Sequence, residues 1–320
     1  MTADRALKRR VRARAQRTGE SYTAALRHFR SLQGEIVPIT PDHSPVQLRL
    51  AVAQTTFRTD PADAPAFQEA GAEVRRLMRQ ARAAGADLIQ FPEATLCFPD
   101  KRSLSRDRDQ VTEADWTRFA WESSQSEVDQ IRATARSSRL WTVLGAQQRN
   151  PADPSARPAS SLLVIDPTGS IVTRYDERLL SRSKQAYLYA AGADGVVLDV
   201  QGVRIALASG LEVLFPHLFS DYESQDVDCV LFSTAGPGEP AEADTLASSA
   251  RTHALQNGIW VGYAVPSDKA PYASAGIIAP GGAWAARCPD EVTPAIAVAE
   301  ISTRPDHPGR TWRRDMLQRL

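Results

Sequence analysis

Apolar positions along the chain switch between two periods. Leu48-Arg49-Leu50-Ala51-Val52-Ala53-Gln54 runs apolar or alternates as a first strand does, and the next segment, 67–84, places Phe67, Ala70, Val74, Leu77, Met78 and Ala81 at helical spacing. Short apolar runs then predict strands at 88–91, 141–145, 161–166 and 170–175, the last two joined across the Pro167-Thr168-Gly169 turn as a hairpin. A helix is expected over 124–138. Beyond the Ser209-Gly210 turn the pattern predicts a strand at 227–233, a helix at 241–257 and a strand at 259–265. A hairpin follows around Pro280-Gly281-Gly282, then a last strand at 295–301.

Strands that alternate with helices and are interrupted by hairpins argue for stacked α/β layers in one domain, residues 47–303. Ahead of it stands a basic helical arm, 1–34. There Lys8 and Arg5, 9, 10, 12, 14, 17, 27 and 30 face only Asp4 and Glu20, a surplus of seven that the rest of the chain cancels to a net charge of zero. A proline-containing linker, 35–46, follows the arm, and an Arg/Trp-containing tail, 304–320, closes the chain. The arm is expected to dock its few apolar residues on the body or on a second subunit; an acidic partner or nucleic acid is the alternative. No run of apolar residues approaches a membrane span and the arginine-rich start has no apolar core of a signal, so a cytoplasmic protein is expected. Three scattered cysteines, Cys97, Cys229 and Cys288, make no disulfide framework, no cluster has zinc spacing, and no cofactor is expected. Lysines number four, at 8, 101, 184 and 269.

The segment 206–216, Ala-Leu-Ala-Ser-Gly-Leu-Glu-Val-Leu-Phe-Pro, has the shape of a catalytic turn after a buried strand but holds no nucleophile at its tip. With Gly85-Ala86-Asp87 before Phe91-Pro92-Glu93, and Ile165-Asp166-Pro167-Thr168-Gly169 before Tyr175-Asp176-Glu177-Arg178, it resembles the carbon–nitrogen hydrolase (nitrilase) superfamily. That resemblance implies a four-layer α-β-β-α sandwich, dimers that extend it, and a catalytic glutamate, lysine and cysteine. Carried over by position, Glu93 takes the general base, Glu177 the lysine and Gly210 the cysteine. Glu212 takes an acidic position two residues further on, and Gln185 a frequent accessory glutamate.

Family members split amides or nitriles by thiolate attack, with the glutamate moving protons and the lysine stabilising charge in the intermediate. Glycine supplies no nucleophilic atom, and glutamate inverts the charge at the lysine position. Two carboxylates about 4 Å apart would repel by about 4 kcal/mol at an effective dielectric near 20. The pocket is therefore expected to hold a shared proton, a bound cation or an ion-paired arginine such as Arg178. Substitutes weighed for the lost groups are Ser209, whose side chain should point away from the pocket, Cys97 on the pocket rim, and Lys184. His217 is expected only to start a helix. Three readings stay open: a non-hydrolytic pseudoenzyme acting through a small polar ligand, self-association or a partner; an altered enzyme on C–N bonds using Glu93, Glu177 and Glu212 or a relocated nucleophile; and an unaltered amidase. Pocket walls are expected from loops 94–115, 182–192 and 234–245, and the segment Arg310-Thr311-Trp312-Arg313-Arg314 is expected at a dimer interface.

Overall fold

The computed structural model describes residues 45–303 except Arg108, together with residues 8–9, 11–13, 15–16, 22, 312–313 and 316. The chain divides into two compact units, 1–44 and 45–320. In the first, the described residues 8–9, 11–13, 15–16 and 22 are helical, with Val11 buried. Residues 35–44 of the expected linker 35–46, most of the arm and most of the tail lie outside the described residues.

Twelve strands build the second unit as two six-stranded sheets. The first has the order β12-β1-β2-β3-β4-β5, made of β1 (Gln47–Gln54), β2 (Leu88–Gln90), β3 (Trp141–Gln148), β4 (Ala159–Ile165), β5 (Ile171–Asp176) and β12 (Ala295–Ser302). The second has the order β11-β10-β9-β8-β7-β6, made of β6 (Val197–Val200), β7 (Val203–Ser209), β8 (Cys229–Ser233), β9 (Trp260–Ala264), β10 (Gly276–Ile278) and β11 (Trp284–Arg287). In each sheet three parallel central strands, β1-β2-β3 and β7-β8-β9, are flanked by antiparallel neighbours.

The period of two sorts side chains between layers. Leu48, Leu50, Val52, Leu162 and Val164 join one core with Ile205, Leu207, Phe232, Val261 and Ile277 of the other sheet. The intervening Ala51, Ala53, Leu163 and Ile165 enter a second core under α1 (Ala64–Ala83) and the long helix at Trp121–Ser138. Small alanines on that face of β1 let α1 approach closely. Helices at Pro216–Ser224 and Ala243–Asn257 cover the second sheet through Leu218, Phe219, Leu246 and Ala250. The result is the four-layer α-β-β-α sandwich. In chain order the helices are α1, α2 (Lys101–Leu104), α3 (Trp121–Ser138), α4 (Pro216–Ser224), α5 (Ala243–Asn257) and α6 (Ala270–Ala273).

Boundaries shift where local chemistry is stronger than the apolar pattern. Asp63 caps α1 by accepting from Ala66 N at 3.0 Å, so the helix starts before Phe67. α3 begins at Trp121 rather than 124, because Trp121 packs on Phe119 and donates its indole N–H to Trp116 O at 2.9 Å. β6, α2, α4 and α6 carry too few periodic residues to register as elements. No described helix is long and apolar enough to cross a membrane.

One polar side chain ties the sheets together. Gln90, fully buried on β2, donates through Nε2 to Phe232 O at 2.9 Å, Ser233 Oγ at 3.1 Å and Gly262 O at 3.3 Å, all in the opposite sheet. A Cβ on Gly262 would lie 3.3 Å from Gln90 Cδ and nearer its Oε1, so the glycine makes room for the amide. Gln90→Ala is expected to destabilise the protein by about 2–4 kcal/mol in urea denaturation, through the cavity and the lost inter-sheet bonds.

Candidate active site

Both sheets direct the C-terminal ends of their parallel strands to one edge, and the candidate groups sit there. After β2 the chain turns at Pro92-Glu93-Ala94-Thr95. Ala94 is left-handed (φ 48°), Thr95 Oγ1 donates to Pro92 O at 2.6 Å, and Thr95 N donates to Gly145 O at 3.0 Å. A Cβ on Gly145 would come within 2.8 Å of the Glu93 backbone, so this glycine of β3 lets the turn settle on the sheet. Glu177 follows β5, its N–H bonded to Ser160 O at 2.9 Å. Gly210 ends β7 at φ 63° and donates to Ser233 O at 3.0 Å.

These residues converge, and Lys184 joins them. Glu93 is buried, accepts from Ala235 N at 3.1 Å through Oε2, and accepts through Oε1 from Ser160 Oγ at 3.4 Å and from Lys184 Nζ. Lys184 Nζ also donates to Glu177 Oε2 at 2.6 Å. The other oxygen of Glu177, Oε1, is buried without a hydrogen-bond partner among the described residues and lies against Gly210. A Cβ built on Gly210 would stand 2.6 Å from Glu177 Cδ and closer still to Oε1. The Glu177 carboxyl thus fills the space that a side chain at 210 would need.

The charge count explains the closeness. Burial, the strongest cause, pushes the Glu177 carboxyl up, to about 8; the Lys184 ammonium opposes this and the Glu93 carboxylate adds to it. Lys184 is buried too, but the two carboxylates hold its ammonium above the ordinary lysine range. Burial thus favours the protonated acid of Glu177 at neutral pH, beside the Lys184 ammonium.

Lys184 therefore supplies the expected cation, and Arg178 does not. Arg178 donates to Tyr175 OH at 3.2 Å and Tyr222 OH at 3.1 Å, away from the carboxylates. Gln185, at the accessory-glutamate position, is exposed, and its neighbour Lys184 is the one turned inward. Lys184 opens a single π-helical turn, Lys184–Leu188, closed by Tyr189 N donating to Lys184 O at 2.9 Å. Tyr189 packs on Trp116 at 5.4 Å between ring centres, and the Trp116 indole N–H bonds Leu188 O at 3.0 Å.

Glu212 is fully buried and spent on structure. It accepts from Tyr175 OH at 2.5 Å, Ser209 N at 2.8 Å, Arg178 N at 2.8 Å and Leu179 N at 3.2 Å. It clamps the segment after β5 to the turn after β7, and so sets Glu177 against Gly210. Cys97 is not on the rim: it is buried against Asp60 O at 3.5 Å, and burial pushes its thiol up to about 12. Ser209 is buried with its hydroxyl unbonded among the described residues. His217 is exposed in the first turn of α4, as expected.

Fold and site geometry together define a class, and comparison with known proteins agrees. The family described as carbon-nitrogen hydrolase matches residues 49–304, and the chain belongs to it. A Mycobacterium tuberculosis protein named hydrolase Rv0480c is 27% identical over 241 residues, covering 73% of this chain and 79% of that one. The Caenorhabditis elegans NitFhit protein superposes with a TM-score of 0.70 at 19% identity over 86% of this chain, which spans 65% of the NitFhit chain. A mutant of the Nesterenkonia AN1 amidase from the nitrilase superfamily superposes with a TM-score of 0.63 at 20% identity, covering 85% of this chain and 96% of the amidase. These structural likenesses bear on the fold alone.

Two measurements check the electrostatics and the packing. Glu177 has a folded pKa raised from 4.5 to about 8. The folded state then holds the extra proton between those values, so the contribution is complete below 4.5 and is lost as pH rises toward 8. Urea midpoints are expected to fall across that window, and Glu177→Gln to flatten the slope. Gly210→Ala combines a left-handed backbone with the Glu177 overlap and is expected to cost about 2–4 kcal/mol, part of it recovered in Gly210→Ala/Glu177→Ala.

Proposed function

We propose that the family centre of this chain is non-hydrolytic, carrying no thiol-dependent hydrolysis, and that it serves through a small polar ligand, self-association or a partner. The observation that carries this reading is the Glu177 carboxyl packed against Gly210, in the volume a cysteine side chain would occupy. The remaining groups support it. Cys97 and Cys288 are buried with thiols pushed up to about 12, and Cys229 is fully buried with its thiol raised further, so neutral pH leaves no thiolate. Glu93 and Lys184 neutralise each other instead of facing a reacting atom.

A second copy of this chain is the partner the surface favours. Leu214 and Leu255 are 47% and 49% exposed, and the short turn Glu212–Leu214 packs on α5, which carries Leu255. Phe215, the residue after the turn, is 38% exposed and adds a third large apolar side chain open to solvent. Leu255→Asp is expected to shift light-scattering mass from dimer to monomer.

The full chain incubated with butyramide and other short aliphatic amides is expected to release ammonia at the buffer rate, and iodoacetamide to leave all three cysteines unmodified in the native protein. Ammonia release abolished by iodoacetamide would overturn the reading.

A further inference from the structure

Beside the closed centre lies a second pair of reactive groups. Lys101, the first residue of α2, donates from Nζ to Ser183 Oγ at 2.6 Å across 82 residues of sequence. Both residues are half-buried, so the pair is sheltered yet reachable. Backbone bonds hold the loop that carries the lysine: Phe98 N to Arg58 O and Asp100 N to Thr59 O, each 2.8 Å. Ser183 immediately precedes Lys184 and the π-helical turn, so its backbone is anchored by the buried charge group. A lysine serves as a base only when it loses its proton readily. Burial is the main cause that lowers the Lys101 pKa, and the nearby Lys184 ammonium lowers it further, against Glu93 and Asp100, which raise it. Phe98, in the same loop as Lys101, lies 5.8 Å from Nζ of Lys184, the residue after Ser183, and 5.7 Å from the Phe57 ring.

We infer that Ser183 and Lys101 form a serine–lysine dyad that accepts a short acyl group from an ester, a catalytic site apart from the family centre. Neutral Lys101 takes the hydroxyl proton while Ser183 Oγ bonds to the acyl carbon; the bond from that carbon to the leaving oxygen breaks, and this oxygen takes the proton from Lys101. Water then attacks the acyl-serine, giving one proton to Lys101, which returns it to Ser183 Oγ as the carboxylic acid leaves. Family-centre hydrolysis plays no part in these steps, so this inference and the reading above stand or fall separately.

The test uses the full-length chain with a fluorophosphonate probe and p-nitrophenyl acetate. Peptide mass mapping is expected to place the phosphonyl group on Ser183, with a labelling rate that rises with pH as Lys101 loses its proton. p-Nitrophenyl acetate is expected to give a burst of one p-nitrophenolate per chain, absent in Ser183→Ala. Lys101→Arg keeps the positive charge and a donor to Ser183 but cannot act as a base, so it is expected to slow labelling at least ~100-fold while circular dichroism stays unchanged. No label on Ser183, or Lys101→Arg labelling at the rate of the unaltered protein, would overturn the dyad. Ammonia release from butyramide that persisted in Ser183→Ala would count against the reading of the family centre and not against the dyad.

Discussion

An ammonium held between two buried carboxyl groups is the constraint around which this end of the sandwich is arranged. Burying one ion costs several kcal/mol unless a partner lies within hydrogen-bond reach, and here three ionisable groups come from three separate segments. Glu93 arrives from the turn after β2, Glu177 from the end of β5 and Lys184 from the π-helical turn. Each placement is backed by neutral contacts: Gly145 makes room for the Glu93 turn, Ser160 holds the Glu177 backbone, and Glu212 ties the β5 exit to the β7 turn. Remove the cation and two carboxyls face each other in a dry site; remove either carboxyl and the lysine loses half its solvation.

The contrast between Glu212 and Glu177 shows how one residue type takes opposite roles a few ångströms apart. Glu212 accepts four hydrogen bonds, three of them from backbone N–H groups, and is a structural clamp. Glu177 accepts from one ammonium and leaves an oxygen bare against Gly210. Its environment favours the neutral acid, which is the only form a fully buried, half-bonded carboxyl holds without a large penalty.

Much of the scaffold was legible because long periodic segments dominate it. β1 alternates leucine and valine with alanine, and α1 places seven apolar or small residues on one face, so both stood out in the sequence. β6, with four residues between two loops, has no period to detect. At the site, Glu93, Glu177 and Gly210 were found by their place in ordered motifs, and the structure brings all three together. Motif spacing puts Gln185 at the accessory position, but within a single wide turn it is exposed and its neighbour Lys184 is the buried one. Linear spacing does not register such a turn. The scarcity of lysine was the available clue: of the three lysines in the second unit, Lys101 and Lys184 lie within electrostatic reach of Glu93. Ser183 had no signal of its own, since a serine in a polar loop gains meaning only from what crosses 82 residues to meet it.

The π-helical turn has a mechanical consequence. Its first residue carries the buried cation and its closing bond is made by Tyr189, which packs at a tilt on Trp116 and through it on Phe119 and Trp121. Any displacement of the lysine must therefore unwind that turn and loosen the aromatic cluster together with it. The ionic centre and the aromatic shell are geared, so they yield as one unit or not at all.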